Sequence, residues 1–340
     1  MKRILIVGAA WVGDAVLAQP LFSALRAAAP DVHLTVMGPR WTHGVLQRMP
    51  ELDALLDHPF PHGRLDLPGR WRLGRTLRRA GFDQAIVLPN SWKSALVPWF
   101  ARIPQRTGFI GEQRRWLLND IRRLDPERLP LMVQRFLSLA DPQGRCPEPL
   151  PSPRLVIDLE NQSRTLERLQ LSRAQPIAIL CPGAEYGPAK RWPTAHFAQV
   201  AQQWIAQGWQ IWILGSARDR PVGEEIAQQV SAPLQNLCGI TALEEAVDLM
   251  ALAQRVVTND SGLMHVAAAL ERPLVALFGS SSPRFTPPLS AQARVLRLEL
   301  PCSPCFQRTC PLGHLNCLNL LDPEQVLASF RSVIPTRTYS

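Results

Sequence analysis

Short apolar runs alternate with amphipathic stretches from the first residues of the chain. Four apolar runs in the first part of the chain predict buried strands, at 3–7, 33–37, 82–88 and 106–109. Stretches with apolar residues at helical spacing predict helices at 15–28, 41–48, 92–101 and 131–139. Strands that alternate with helices form parallel sheets that the helices cover. The first part of the chain therefore predicts a doubly wound α/β domain.

The alternation starts again after a proline-rich stretch at 141–153. Proline removes a backbone donor and fixes φ, so we expect a linker there. Further strands are predicted at 176–181, 210–214, 255–258 and 274–278, and helices at 196–207, 222–230, 243–252, 262–270 and 323–333. The elements predict two Rossmann-like domains, 1–155 and 156–320, whose sheets face a ligand-binding cleft. Residues 321–340 are expected to form a helix that packs back on the first domain.

The composition supports two folded domains and argues against several other classes of protein. The chain has 340 residues, of which 46% are hydrophobic and 19% charged, so it can bury a large interior. Apolar runs fall well short of the ~18 residues that a membrane span needs. The first apolar run reaches Gly8 after four residues, too short for a signal peptide. With an odd number of cysteines, seven, the chain is expected to be cytoplasmic rather than a secreted disulfide scaffold.

Basic charge is concentrated in the first half of the chain. Residues 1–150 hold 21 Lys and Arg against 13 Asp and Glu, whereas residues 151–340 hold 16 against 15. This surplus suits an anionic partner, such as a nucleic acid or a phosphorylated or lipid-borne acid, or it reflects solvated faces without a partner. Arginines interleave with leucine and tryptophan at 64–79, either as in segments that contact an acidic membrane surface or as in an exposed basic helix without a partner. Duplex DNA is disfavoured because no recognition helix or aromatic-basic sheet motif is present.

A glycine-containing turn follows the first predicted strand. Gly8 and Gly13 stand five residues apart between strand and helix, which lets the backbone approach a ligand closely. The next residue is Asp14, where a P-loop would have lysine. Asp14 is either a helix-capping residue or a general base that faces the cleft.

A second turn, after the strand at 255–258, predicts an anion site. Ser261 and Gly262 open a helix there, and the free N–H groups of a helix start favour a pyrophosphate. His265 lies one turn deeper on the same face. An ordinary helix cap is the alternative for this stretch, and a buried core histidine is the alternative for His265.

Two more loops are expected at the same edge of the second sheet. A Gly/Pro-rich loop at 181–193 contains Gly183 and presents Lys190 and Arg191, cations that could neutralise a leaving diphosphate. Lysine is scarce in this chain, which favours a functional role for Lys190 over a solvated basic loop. Gly215 begins the other loop, after the strand at 210–214.

Polar residues after the strand at 82–88 suit a polyhydroxylated, anionic ligand. Asn90 supplies an amide and Lys93 an amine in this segment. Separately, four cysteines near the C-terminus have a spacing that resembles a zinc-ligand set, with His314 between the last two: Cys302, Cys305, Cys310 and Cys317. The spacing is irregular, so we expect no catalytic metal and treat a structural site as the minor alternative.

In combination, these motifs resemble those of the bacterial ADP-heptose:lipopolysaccharide heptosyltransferases, glycosyltransferase family 9, most closely the heptosyltransferase II branch. The segments that carry the resemblance are 11–14, 88–98, 181–193, 258–270 and 281–283. The family implies a GT-B fold, in which two Rossmann-like domains face a cleft. It also implies inverting heptose transfer without a metal or other cofactor. The implied partners are ADP-heptose and a lipid A-linked inner-core oligosaccharide, at the cytoplasmic face of the inner membrane.

The resemblance also implies roles for individual residues. Asp14 is the expected general base, and Lys190 is expected to stabilise the departing ADP. The expected donor-binding residues are Gly183, Lys190, Gly215, Asp260, Ser261, Gly262 and His265. The expected acceptor-binding residues are Trp11, Asn90 and Lys93. Relatives often bind adenosine with a glutamate after the Gly-Ser turn; here Asp219 or Glu224 is the expected substitute.

Two alternatives remain open from the sequence. A heptosyltransferase I or III would share the fold and donor but act on another hydroxyl of the core. A non-catalytic sugar-nucleotide-binding protein would keep the phosphate site without needing Asp14.

Overall fold

The computed structural model describes residues 1–60 and 64–331, and the chain divides into two compact units. The first unit is Met1–Val156 and the second is Ile157–Ser340. The division between Val156 and Ile157 lies three residues after the proline-rich stretch at 141–153. No helix among these described residues is long and apolar enough to cross a membrane.

The first unit contains a six-stranded parallel sheet in the order β3-β2-β1-β4-β5-β6. Its strands are β1 (Arg3–Val7), β2 (His33–Gly38), β3 (Ala54–Asp57), β4 (Gln84–Val87), β5 (Gln105–Phe109) and β6 (Asp120–Arg122). Its helices are α1 (Val12–Leu17), α2 (Gln19–Ala28), α3 (His43–Leu46), α4 (Leu67–Leu77), α5 (Leu96–Phe100) and α6 (Met132–Leu137). The central strands β1 and β4 are buried, as their unbroken apolar runs predict.

The second unit repeats this architecture, with the sheet order β12-β11-β10-β7-β8-β9, also parallel. Its strands are β7 (Ile177–Cys181), β8 (Gln210–Ile213), β9 (Gln235–Asn236), β10 (Arg255–Asn259), β11 (Leu274–Phe278) and β12 (Ala293–Arg297). Its helices are α7 (Leu159–Arg168), α8 (Thr194–Ala206), α9 (Arg220–Gln228), α10 (Leu243–Met250), α11 (Gly262–Ala269), α12 (Asn316–Asn319) and α13 (Pro323–Arg331).

Both sheets reverse their strand order at one point, which is where doubly wound sheets bind ligands. In the first unit the reversal falls between β1 and β4, and in the second between β7 and β10. The carboxyl ends of these four strands carry the motifs that the sequence analysis selected. The two parallel sheets confirm the predicted α/β class.

Several elements differ from the sequence prediction for identifiable reasons. The helix predicted at 15–28 is two helices, because Pro20 lies in the first turn of α2, where its missing N–H is tolerated. The sequence analysis missed the outer strands β3, β6, β9 and β12. These strands are short or partly exposed, so they lack the apolar run that marks a central strand.

The last helix packs on the second unit, which corrects the expectation that it returns to the first domain. Val326, Leu327 and Phe330 of α13 are buried in the core that α8 covers. The Phe330 ring meets the Trp204 ring edge-on, with centroids 5.4 Å apart. Burial of its apolar side chains against α8 therefore determines the position of this helix. Residues 332–340, which the prediction included, lie outside the described residues.

We expect Phe330→Ala to lower the free energy of unfolding of the second unit by about 3–5 kcal/mol, because it removes a buried ring and leaves a cavity. Urea unfolding followed by tryptophan fluorescence measures the change. Leu320→Ala, at a position that is 61% exposed, is the matched control and should change stability by less than about 0.5 kcal/mol. Equal stability of the Phe330 variant and the control would contradict this packing.

Candidate active site

A buried ion pair lies where the second sheet reverses its strand order. Lys190 ends a short 3-10 turn in the loop after β7, and Asp260 follows β10 directly. Lys190 Nζ lies 2.5 Å from Asp260 Oδ2. The Asp260 side chain is only 6% exposed and also accepts a hydrogen bond from the Ser281 hydroxyl. Burial makes an unpaired charge costly, so the two residues hold each other in place.

Asn259 fixes the loop that carries Lys190. Its side-chain oxygen accepts the Trp192 N–H at 3.1 Å, and its side-chain nitrogen donates to the Pro182 carbonyl at 2.7 Å. The loop is therefore bonded to the end of β10 on both sides of the lysine. The sequence analysis did not assign a role to Asn259; its position at a buried strand end, before the Asp-Ser-Gly turn, was the available indication.

The start of α11 presents backbone donors beside the ion pair. Ser261 is the N-cap residue and makes no side-chain capping bond, and Gly262 is the first helical residue. The first N–H groups of a helix have no partner within the helix, and together with the helix dipole they attract an anion. The structure thus places Lys190, Asp260, Ser261 and Gly262 at one edge of the second sheet, and their role in donor binding stays a prediction.

His265 lies one turn into α11 and is buried. Burial lowers its pKa to about 4, and the nearby Lys190 charge acts in the same direction against the opposing effect of Asp260. The imidazole is therefore neutral at physiological pH.

A third loop reaches the same edge of the sheet, and Asp219 determines its shape. The Asp219 carboxylate accepts two hydrogen bonds from Ser216, one from its backbone N–H at 2.9 Å and one from its hydroxyl at 2.7 Å. A Cβ added at Gly183 would lie 2.5 Å from the Asp219 carboxylate. A Cβ added at Gly215 would lie 2.9 Å from the Cβ of Asp219. Only glycine permits these approaches, so Gly183 and Gly215 are required to bring the two loops together.

The two candidates for the adenosine contact therefore have different surroundings. Asp219 is buried, and its Oδ2 accepts hydrogen bonds from Ser216 in the turn after β8. Its Oδ1 lies 3.9 Å from the Arg191 guanidinium. Glu224 is on α9 and pairs with Arg220 one turn away. Both remain predictions as adenosine ligands.

In the first unit, the turn after β1 presents Trp11 and Asp14. Trp11 is the N-cap residue of α1 and is 45% exposed, and it makes no side-chain capping bond. Asp14 lies in the first helical turn and is partly buried. The Trp41 indole donates to the Ala10 carbonyl at 2.8 Å, which fixes the turn from outside.

Arg114 organises the loop that contains Asn90 and Lys93, a role that the sequence analysis missed. Its guanidinium is 1% exposed and donates to the carbonyls of Pro89 and Phe109 and to the side chain of Asn90. Burial lowers its pKa to about 10, so it remains charged at neutral pH. In a segment rich in exposed arginines, nothing in its sequence context distinguishes it.

Lys93 lies in a positively charged neighbourhood. The buried Arg70 donates to the Lys93 carbonyl at 3.1 Å, and its guanidinium stacks over the Phe60 ring at 4.3 Å. Burial, followed by the charges of Arg70 and Lys93, lowers the pKa of His58 to about 4. The imidazole is therefore neutral, and the positive charge of this region resides on Arg70 and Lys93.

The four C-terminal cysteines lie around one small cavity of about 20 Å³. The residues that line it include Cys302, Cys305, Cys310, Cys317 and His314. All four thiols are free. Within residues 1–60 and 64–331, no group of three or more His, Cys, Asp or Glu side chains is arranged to hold a metal ion.

Comparison with known proteins identifies relatives of the whole chain. The sequence profile of glycosyltransferase family 9 (heptosyltransferase) matches residues 70–316. Lipopolysaccharide heptosyltransferase 2 of Escherichia coli is 45% identical over 98% of both chains. Lipooligosaccharide heptosyltransferase 2 of Haemophilus influenzae is 46% identical over 87% of this chain and 88% of that protein. The solved structure of E. coli ADP-heptose lps heptosyltransferase II has a TM-score of 0.87 at 44% identity and covers 98% of each chain.

We expect Arg114→Met to destabilise the first unit by about 3 kcal/mol, because it leaves several buried carbonyl oxygens without a donor. Chemical unfolding measures this loss. Arg115→Met removes the neighbouring, exposed arginine and serves as the control, with an expected change below about 0.5 kcal/mol. If both variants unfold at the same denaturant concentration, Arg114 does not organise this loop.

Proposed function

Because this chain belongs to glycosyltransferase family 9, the heptosyltransferases, we propose that it transfers heptose from ADP-L-glycero-D-manno-heptose to the first heptose of the lipopolysaccharide inner core. The chain is a glycosyltransferase, and its relatives at 45–46% identity are heptosyltransferases of type 2. The observation that carries the proposal is the Lys190–Asp260 pair beside the start of α11. A cation and free helix N–H groups at a strand-order reversal suit a nucleoside diphosphate.

The donor diphosphate is proposed to bind to the second unit. Ser261 and Gly262 would supply backbone N–H groups to its oxygens, and Lys190 would supply charge. Gly183 and Gly215 leave space for the diphosphate to approach the backbone of the two neighbouring loops. The Asp260 carboxylate holds Lys190 and remains an acceptor for a sugar hydroxyl.

The proposed reaction is a single displacement at the anomeric carbon, with inversion. The acceptor hydroxyl loses its proton to Asp14 as its oxygen forms the new glycosidic bond, and the bond from the anomeric carbon to the diphosphate oxygen breaks. ADP leaves with the electron pair of that bond, and negative charge accumulates on its phosphate. Lys190 and the N–H groups of α11 stabilise that charge more strongly in the transition state than in the bound substrate. They supply the positive charge that a metal ion contributes in other transferases.

The acceptor is proposed to bind to the first unit through Trp11, Asn90 and Lys93. An inner-core oligosaccharide combines sugar hydroxyls with acidic groups. Trp11 offers an exposed ring, Asn90 an exposed amide and Lys93 a partly buried amine beside Arg70. The basic surplus of the first half of the chain favours such an acceptor.

We expect the wild-type protein to transfer heptose to a defined acceptor that already bears one heptose, and Asp14→Asn to lower kcat by ~10²-fold or more. The ADP dissociation constant should stay unchanged, because the carboxylate acts on the acceptor. Product mass and linkage, with calorimetric ADP binding, measure both effects. Asp31→Asn, at an exposed aspartate of the same unit, is the matched control.

Each outcome separates the alternatives. ADP binding without transfer to any truncated core acceptor would indicate a non-catalytic sugar-nucleotide-binding protein. Transfer only to an acceptor without heptose, or to a different hydroxyl, would indicate a type I or type III enzyme. A kcat of Asp14→Asn equal to that of the wild type would remove Asp14 from the mechanism.

The lipid-linked acceptor further suggests contact with the cytoplasmic face of the inner membrane. Arg72, Arg75 and Arg79 follow one another at helical spacing along the exposed side of α4 and just beyond it. The Arg75 guanidinium lies 4.8 Å from the Trp71 ring, also exposed. Residues 67–82 contain no acidic residue, so this surface suits anionic lipid headgroups. Arg70, which the sequence analysis grouped with these arginines, is buried and excluded from it.

We expect the protein to float with vesicles containing anionic phospholipid at low salt, and to lose most of this binding at high salt. Replacing Arg72, Arg75 and Arg79 with glutamine should abolish flotation, because roughly 1 kcal/mol of attraction is lost per arginine. Transfer to a soluble, delipidated acceptor should stay unchanged.

The matched control replaces three exposed arginines of the second unit, Arg164, Arg173 and Arg294, with glutamine. It changes net charge equally but leaves the α4 surface intact. Equal flotation of the two triple variants, or no flotation of the wild type at low salt, would contradict membrane contact through α4.

A further inference from the structure

A long irregular segment between β12 and α12 contacts the turn that carries Lys190. Residues 298–315 contain no helix or strand, yet two of their carbonyl oxygens accept hydrogen bonds from this turn. The Arg308 carbonyl accepts the Ala189 N–H at 3.0 Å, and the Phe306 carbonyl accepts the Tyr186 hydroxyl at 2.8 Å. The turn is therefore bonded to the segment on both sides of Gly187.

Gly187 allows this contact to be close. A Cβ at this position would lie 2.5 Å from the Arg308 carbonyl oxygen and 3.1 Å from the Arg308 Cα. A side chain there would push the two backbones apart. The glycine of the Tyr186–Lys190 turn thus has a packing reason that the sequence alone did not reveal.

The Tyr186 ring connects the lysine with the segment. Lys190 Nζ lies 5.0 Å from the ring centroid, and Arg308 Cζ lies 5.2 Å from it. Both cations are within the range of a favourable cation–π contact. Tyr186 therefore restrains the ammonium group through its ring while its hydroxyl is anchored on Phe306.

The same segment also supports the partner of Lys190. The Phe306 N–H donates to the Ser280 carbonyl, and the Ser303 hydroxyl donates to the Gly279 carbonyl at 2.7 Å. Ser281, which follows Ser280, donates a hydrogen bond from its hydroxyl to the Asp260 carboxylate. Ala189 and Ser280 also line the small cavity around the four cysteines. One segment therefore supports both members of the ion pair.

We propose that residues 303–308, together with Tyr186, form a clamp that positions the Lys190 ammonium against Asp260 for the leaving diphosphate. This inference rests on the proposed function. Tyr186 and the clamp backbone are positioning residues, since they act through Lys190 and not on the reacting atoms. Their loss should affect donor binding and departure, and should leave acceptor binding unchanged.

The test compares three variants of the full chain. Tyr186→Phe keeps the ring and loses one hydrogen bond, so kcat/KM for ADP-heptose should fall about 2–5-fold. Tyr186→Leu loses the ring as well, so its kcat/KM for ADP-heptose should fall by about tenfold or more. Gly187→Ala separates the turn from Arg308, so its kcat/KM for ADP-heptose should also fall by more than about tenfold. In all three, the KM for the acceptor should stay within about twofold of the wild-type value.

Thr309→Ala is the matched control, because Thr309 is exposed and lies just outside the clamp, whose backbone this truncation leaves in place. It should behave as the wild type. Calorimetric titration with ADP provides a second measurement, in which Tyr186→Leu should weaken ADP binding about 5–20-fold and Thr309→Ala should leave it unchanged. Thermal unfolding of each variant checks that the protein is folded.

The outcomes distinguish this inference from the proposed function. If heptose transfer and ADP affinity of folded Tyr186→Leu equal those of Thr309→Ala, the clamp is overturned. An equal rise of the donor and acceptor KM would indicate a general structural role and would also overturn it. If the wild type transfers no heptose, the proposed function fails, and the ADP affinities alone decide whether the clamp positions Lys190.

Discussion

The buried ion pair between Lys190 and Asp260 is the interaction on which the second unit's site depends. Neither charge could be buried alone, since an uncompensated charge in a protein interior costs several kcal/mol. Asn259 holds the lysine loop on both sides of Lys190, and Ser281 donates to Asp260. Residues 303–308 support both members of the pair. The result is a preorganised cation beside the free N–H groups of α11. In the proposed reaction, preorganisation matters because groups already in place need not reorganise as charge develops on the leaving phosphate.

The same principle operates in the first unit with a different residue. The buried Arg114 satisfies several carbonyls of the loop that carries Asn90 and Lys93, as Asn259 satisfies the loop of Lys190. Each unit therefore combines an apolar parallel sheet with one buried polar residue that fixes a loop at the point of strand-order reversal, where the ligands are proposed to bind. Because the sheet supplies the architecture and the loops supply the side chains, the loop chemistry can differ between two units of the same fold.

Much of this arrangement could be predicted from local sequence. The central strands are apolar runs bounded by glycine or polar residues, and the motif residues follow them directly. Lys190 and Asp260 then belong to loops at the same edge of the sheet, because the strands that precede them, β7 and β10, are neighbours. Arg114, the clamp at Phe306 and Arg308, and the packing of α13 on α8 could not be predicted. Each depends on a contact between segments far apart in the chain, for which one sequence provides no periodicity or spacing.

A double-mutant cycle on ADP affinity tests the central claim most directly. ADP dissociation constants would be measured by calorimetry for the wild type, Lys190→Met, Asp260→Asn and the double variant. If Asp260 acts on the diphosphate by holding Lys190, Asp260→Asn should change the free energy of ADP binding by different amounts in the wild type and in Lys190→Met. The account predicts that these two changes differ by more than about 1 kcal/mol. Effects that agree within about 0.5 kcal/mol would show that the two residues act independently, and would contradict the account.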